Sequence, residues 1–192
     1  TGLLIVCTGK YTKRINEYMA QQKEYTGTFT LGATTATYDL ESEPIPTAHF
    51  YSPIYVEQLK ETAKTFIGDI MQIPPAHSAI KQNGKRLYEL ARKGEKIEIQ
   101  PRPVKIFSFD ITIYEPPTVH FKVTCSTGTY IRSLAHDFGQ MLGCGAYLSS
   151  LRRTRIGNFN VNDAITPLLF EEMFSKENKN EEEEIVNSEI RN

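Results

Sequence analysis

The alternation between Val104 and Cys125 constrains the fold more than any other feature of the chain. Phe107, Phe109, Ile111 and Ile113 fall on one side of a period of two and Ser108, Asp110 and Thr112 on the other, and Phe121, Val123 and Cys125 resume it. An α-helix would scatter such residues around its axis, so two adjacent antiparallel strands are predicted. The rest of the sequence must supply partners for that pair and a layer to cover its apolar face.

Strand signals recur elsewhere. GLLIVC, ended by Gly9, reads as a buried strand, and EYTGTFTL over 24–31 as a half-buried one. A short SAIK strand precedes a turn at Asn83-Gly84, and residues 146–159 return to strand. Helical spacing appears after Gly9 (Ile15, Tyr18, Met19), over Val56, Leu59, Ala63 and Phe66 up to Gly68, and over Leu87, Leu90 and Ala91. It is clearest over Ile131, Leu134, Ala135, Phe138 and Leu142, stopped at Gly143 and Gly145. TTATYDLESEPIP reads as loop, Pro74 and Pro75 exclude helix, and a short helix follows Pro167. Strands outnumber helices and pair through short connections, which gives an α+β fold: a mainly antiparallel mixed sheet flanked by helices.

The formal net charge of -1 over 192 residues hides an asymmetry: residues 171–192 sum to -5 and residues 1–170 to +4. We therefore divide the chain into a body, 1–170, and an acidic, flexible tail whose few apolar residues cannot offset the entropy of ordering. Residues 79–105 carry eight basic side chains against three acidic ones. Lys81, Lys85, Arg86 and Arg92 belong to this stretch, which is either a solvated face or a phosphate-binding one.

Cys7, Cys125 and Cys144 are odd in number and lack a CxxC, so neither a disulfide framework nor a zinc ribbon is indicated. The four histidines show no metal spacing, and phosphate-loop and GxSxG motifs are absent. The apolar run at the start is too short to span a bilayer. A cytoplasmic protein without metal or membrane partner is expected.

Three polar features disagree with their local pattern. Arg132 opens an amphipathic helix just after Gly128-Thr129-Tyr130, where a cation opposes the helix dipole and calls for an anionic partner. Tyr25 stands at the head of a Thr-rich strand, placed either to stack on a base or to fill the core. Arg152 and Arg153 are consecutive in a predicted strand, so one of them must point inward or along a cleft.

Four blocks then carry a resemblance: TGLLIVCTGKYTK; KEYTGTFTLGATTATYD; GDIMQIPPAHSAIKQNGKRLYELARKGE with RPV; and CSTGTYIRSLAHDFGQMLGCGAYLSSLRRTRIGNF. In this order they resemble the bacterial TruB-type tRNA pseudouridine synthases over Thr1 to about Phe170. The resemblance implies the catalytic fold of that family and isomerisation of uridine 55 in the T arm of tRNA, without a cofactor; a monomer is expected. The base must leave its stack to be detached and rejoined through C5. Tyr25 matches the tyrosine that stacks on the flipped base and assists proton transfer, and Arg132 the arginine that pairs with the catalytic aspartate. Tyr130 lies in the same block, Leu151, Arg152 and Arg153 match the block lining the pocket, and Lys81, Lys85 and Arg86 would meet phosphates.

In the family, TGLL completes a block of the form GTLDPxA that supplies the aspartate nucleophile, and the 192 residues contain no such block. The expectation is a catalytic fold lacking its N-terminal segment and inactive as it stands, with Asp39 in a loop role and Asp137 on the exposed side of its helix. The alternative is a non-catalytic RNA-binding or tRNA-folding module.

Overall fold

A computed structural model describes residues 1–47, 54–78, 81–82, 85–86 and 99–174, the two short pairs at 81–86 by their backbone alone. A 3-10 turn over Gly9–Arg14 leads into helix α1 (Ile15–Ala20) and strand β1 (Lys23–Leu31). The two-residue strands β2 (Ala33–Thr34) and β3 (Ile45–Pro46) pair with each other. Helix α2 (Val56–Thr65) and strand β4 (Gly68–Gln72) follow, then β5 (Lys81–Gln82) and β6 (Lys85–Arg86), which pair antiparallel. Strands β7 (Arg102–Glu115) and β8 (Thr118–Cys125), helix α3 (Ile131–Met141), and strands β9 (Ala146–Ile156) and β10 (Phe159–Asn160) complete the body.

Six strands form one sheet in the order β10-β9-β1-β8-β7-β4, and each of its ladders is antiparallel. Two parallel isolated bridges, Gly2 to Arg153 and Asp39 to Leu148, dock further segments on β9. The expected α+β fold is therefore present, with α2 and α3 packed over one face of the sheet.

Phenylalanines cement these layers. Phe29 of β1 stacks on Phe121 of β8 at 4.2 Å, and Phe138 of α3 lies 5.6 Å from both Phe29 and Phe109. Phe66, capping α2, reaches Phe138 at 6.3 Å, so one ring touches both sheet and neighbouring helix. Leu59, Leu134, Val119 and Val123 are fully buried around them. Two glycines permit the closest approaches: a Cβ on Gly27 would lie 2.2 Å from the Ser150 carbonyl oxygen, and one on Gly139 would lie 2.1 Å from the Ala146 nitrogen.

The structure departs from the sequence pattern in two places. GLLIVC forms no strand: only Gly2 bridges β9, Leu3 is buried, and Leu4 and Val6 are exposed. Its apolar run follows a glycine at φ 110° that hugs the Arg153 backbone, and beyond Leu3 it leaves the sheet edge. Phe107 and Ile113 do not share a face with Phe109 and Ile111. Register shifts between Ile106 and Ser108 and between Ile111 and Ile113 turn Phe107 and Ile113 outward, with Val104, Ile106, Phe109 and Ile111 buried. A bulge inserts one residue and so reverses the alternation beyond it.

The helix over Leu87, Leu90 and Ala91, the Asn83-Gly84 turn, Ala79 and Ile80 of SAIK and the tail beyond residue 174 lie outside the described residues. The helix after Pro167 covers 167–174 and starts as its sequence suggests, with Thr166 Oγ1 accepting from Leu169 N at 3.1 Å and proline at the first helical position.

Candidate functional site

The β1–β9 register assembles the first part of the site. Tyr25 is the cross-strand partner of Arg153 and Gly27 of Leu151, which places Tyr25, Leu151 and Arg153 on the inner face of the sheet although they are far apart in sequence. Tyr25 and Leu151 pack against the core, and Arg153 donates from Nε to the Leu3 carbonyl at 2.7 Å. Thr26 pairs with Arg152, so Arg152 points to the opposite face, where it is exposed. Of the two consecutive arginines, Arg153 is therefore the inward one. The resemblance groups Arg152 with the pocket; the structure does not bring it together with Tyr25.

Burial, with a smaller contribution from nearby Cys125, raises the Tyr25 phenol above its usual pKa, and Arg153 opposes that rise. Tyr25 therefore remains a proton donor at neutral pH. Lys23, on the same strand face, donates to the carbonyls of Met19 and Gln21 at the end of α1, and burial and then Arg153 lower its pKa. A cavity of about 300 Å³ opens beside these groups, with Lys23, Thr127 and Arg153 among its polar lining and Leu4, Met19 and Ile156 among its apolar one.

The second part of the site lies at the start of α3. The segment leaving β4 straps this helix start: Gln72 Nε2 donates to the Tyr130 carbonyl at 3.1 Å, and Tyr130 N donates to Gln72 Oε1 at 2.8 Å. Ser133 Oγ donates to the Ile73 carbonyl, and Arg132 Nη2 to the His77 carbonyl at 2.8 Å. Arg132 Nη1 then meets Asp39 Oδ2 at 3.0 Å, both side chains being about one-fifth exposed. The anionic partner that a cation at a helix start demands is thus Asp39, a residue that the sequence reading assigns to a loop role. Asp39 is indeed in a loop, but its carboxylate is saturated with donors, for Oδ1 also accepts from Thr37 Oγ1 at 2.6 Å and from Glu41 N at 3.1 Å.

Next to this pair, His136 stacks on Tyr38 with ring centroids 4.0 Å apart and planes 17° from parallel. Asp137 is half-buried rather than exposed as expected. Burial pushes its carboxyl up to about 6 and lowers the pKa of His136. Because the folded pKa of Asp137 exceeds its usual 3.8, the stability of its protonated form is fully present below that value and is lost as pH rises through about 6. Asp137→Asn should therefore raise the melting temperature above pH 6 and not below pH 4, with His136 common to both proteins; parallel melting-versus-pH curves would contradict this.

Lys81 and Arg86 are register partners, as are Gln82 and Lys85. Cys125 is buried and its thiol is pushed up to about 11, which keeps it inert, as expected of a small buried hydrophobe. Among the described residues no three His, Cys, Asp or Glu side chains are placed to hold a metal ion, and no helix is long and apolar enough to cross a membrane.

Among solved structures, the chain is similar to one from a Cbf5-Nop10-Gar1 complex, with a TM-score of 0.60 and 29% identity over 83% of this chain and 37% of that one. It is also similar to one from an H/ACA RNP bound to a substrate RNA containing 2'-deoxyuridine, with a TM-score of 0.54 and 25% identity over 80% and 34% of the two chains. It thus spans about a third of the length of those chains.

The family model for the N-terminal domain of TruB family pseudouridylate synthases matches residues 1–131, and that for the tRNA pseudouridylate synthase B C-terminal domain matches residues 132–191. The tRNA pseudouridine synthase B of Flavobacterium johnsoniae is 53% identical over 90% of this chain and 75% of its own length. That of Bacteroides fragilis is 46% identical over 92% and 76%. The chain belongs to the TruB family of pseudouridine synthases. The boundary between the two matched segments falls inside α3, and β9 from the second segment pairs with β1 from the first, so both build a single sheet.

Proposed function

We propose that the chain takes part in converting uridine 55 in the T arm of tRNA to pseudouridine, with residues 1–170 forming the catalytic domain. The observation that carries this reading is the grouping of Tyr25, Leu151 and Arg153 on one inner sheet face. An aromatic ring flanked by an aliphatic side chain and a guanidinium suits a base taken out of its stack. The isomerisation balances without any co-reactant: the N1–C1′ bond breaks, the C5–C1′ bond forms, and the proton on C5 is exchanged for one on N1. Tyr25, held protonated by burial, is the proton-transfer group assigned to the base. Arg132 holds the Asp39 carboxylate at the start of α3.

The nucleophile of this reaction is an aspartate of the GTLDPxA block, which the 192 residues do not contain. Tyr130, at the helix start, is assigned to substrate binding, and Lys81, Lys85 and Arg86 to the phosphates of the T-arm backbone. The protein works as a monomer in the cytoplasm, and the reaction uses no cofactor.

Salt dependence tests the phosphate assignment. Each phosphate contact contributes about 0.7–0.9 to the slope of log affinity against log salt. Substituting Lys81, Lys85 and Arg86 together with alanine should lower the slope for a T-arm stem-loop by about 2–3. The fall in affinity between about 50 and 200 mM salt should then be roughly 20- to 40-fold smaller than in the wild type. An unchanged slope would remove these three residues from the interface.

A further inference from the structure

Tyr38 is the only described non-glycine residue with positive φ, at 65°, a conformation that strains an ordinary side chain. Something must hold it there. Its carbonyl accepts from Leu148 N at 2.9 Å, which ties the backbone to β9, and its ring lies flat on His136. His136 stands four residues after Arg132, on the same side of α3. One helix face thus grips two consecutive loop residues at two points: His136 holds the Tyr38 ring and Arg132 holds the Asp39 carboxylate.

We infer that Tyr38 and His136 are positioning residues, whose stack fixes the left-handed turn that presents Asp39 to Arg132 and so sets the direction of the Arg132 guanidinium. Its catalytic meaning rests on the reading of Arg132 as a pocket residue, whereas the geometry does not. Burial, and then Asp137 of α3, raise the pKa of the Tyr38 phenol, and the Arg132–Asp39 pair joins the same helix and loop. Burial favours the neutral imidazole, which stacks without bringing a second cation next to Arg132.

The test is nuclear magnetic resonance of the 192-residue chain with ¹⁵N-labelled arginine, assigned by Arg132→Lys. In the wild type, Arg132 should give a resolved, slowly exchanging guanidinium signal. His136→Ala should lose it, and His136→Phe, which keeps an aromatic face, should restore it. His136→Leu, which keeps bulk without a ring, should not. Tyr38→Gly suits φ 65° and spares the backbone strain, so the fold should persist while the Arg132 signal is lost. The proposal is overturned if the wild type shows no such signal, if the signal survives Tyr38→Gly, or if leucine serves as well as phenylalanine. No RNA enters this readout. A held Arg132 in a protein that ignores T-arm RNA would leave the positioning role intact and defeat the functional reading instead.

Discussion

Phe138→Ala should destabilise the chain by about 3–5 kcal/mol, measured as the change in unfolding free energy from urea titration. Phe138 is fully buried, and its ring contacts Phe29 and Phe109 in the sheet and Phe66 at the end of α2. Truncation leaves a cavity that three rings from three separate elements cannot all move to fill, so the packing loss adds to the lost burial. Domains of ordinary stability have about 5–15 kcal/mol to lose, so much of the chain would be unfolded well below the wild-type midpoint. Phe107→Ala supplies the contrast. The bulge turns Phe107 outward, 46% exposed, and its truncation should cost less than about 1 kcal/mol. Equal losses at the two positions would mean that the register of β7 is wrong.

Phe107 also shows what a sequence can and cannot reveal. Periodicity identifies β1, β7, β8, α2 and α3 because each must bury one face whatever its neighbours are. The bulges in β7 depend on how it pairs with β8, and nothing local marks Phe107 as different from Phe109. GLLIVC reads as a strand for the same reason: its composition is right, but beyond Leu3 it has no ladder partner.

The site divides in the same way. The anomalies at Arg132 and at Arg152-Arg153 are local and legible, and the inward choice of Arg153 needs only the register with Tyr25. The partner of Arg132 lies 93 residues away, in a segment that reads as loop, and the Tyr38–His136 stack joins the same two segments. Helix-start electrostatics demands an acid for Arg132 but cannot say which one.

A second large effect is expected in catalysis: the 192-residue polypeptide should bind T-arm RNA and leave its uridine unchanged. A covalent nucleophile must be ionised, accessible and free of competing bonds. None of the five aspartates meets all of these conditions beside Tyr25. Asp39 is committed to Arg132, Thr37 and Glu41 N, and Asp137 is half-buried with its carboxyl pushed up to about 6. Asp69 and Asp110 stand on β4 and β7, apart from the β1–β9 face, and Asp163 lies exposed in the short 3-10 turn after β10. On the proposed reading, a chain without the GTLDPxA aspartate keeps only binding and positioning, which hold a base without cleaving its glycosidic bond.

Incubating the purified 192-residue chain with unmodified tRNA, recovering the bound tRNA and chromatographing its nucleosides reads both halves of this account in one experiment. Retained tRNA containing uridine and no pseudouridine is the expected result. Pseudouridine at the T-arm position would place a working nucleophile within these residues, and tRNA that is not retained at low salt would contradict the assignment of the Tyr25 face to RNA.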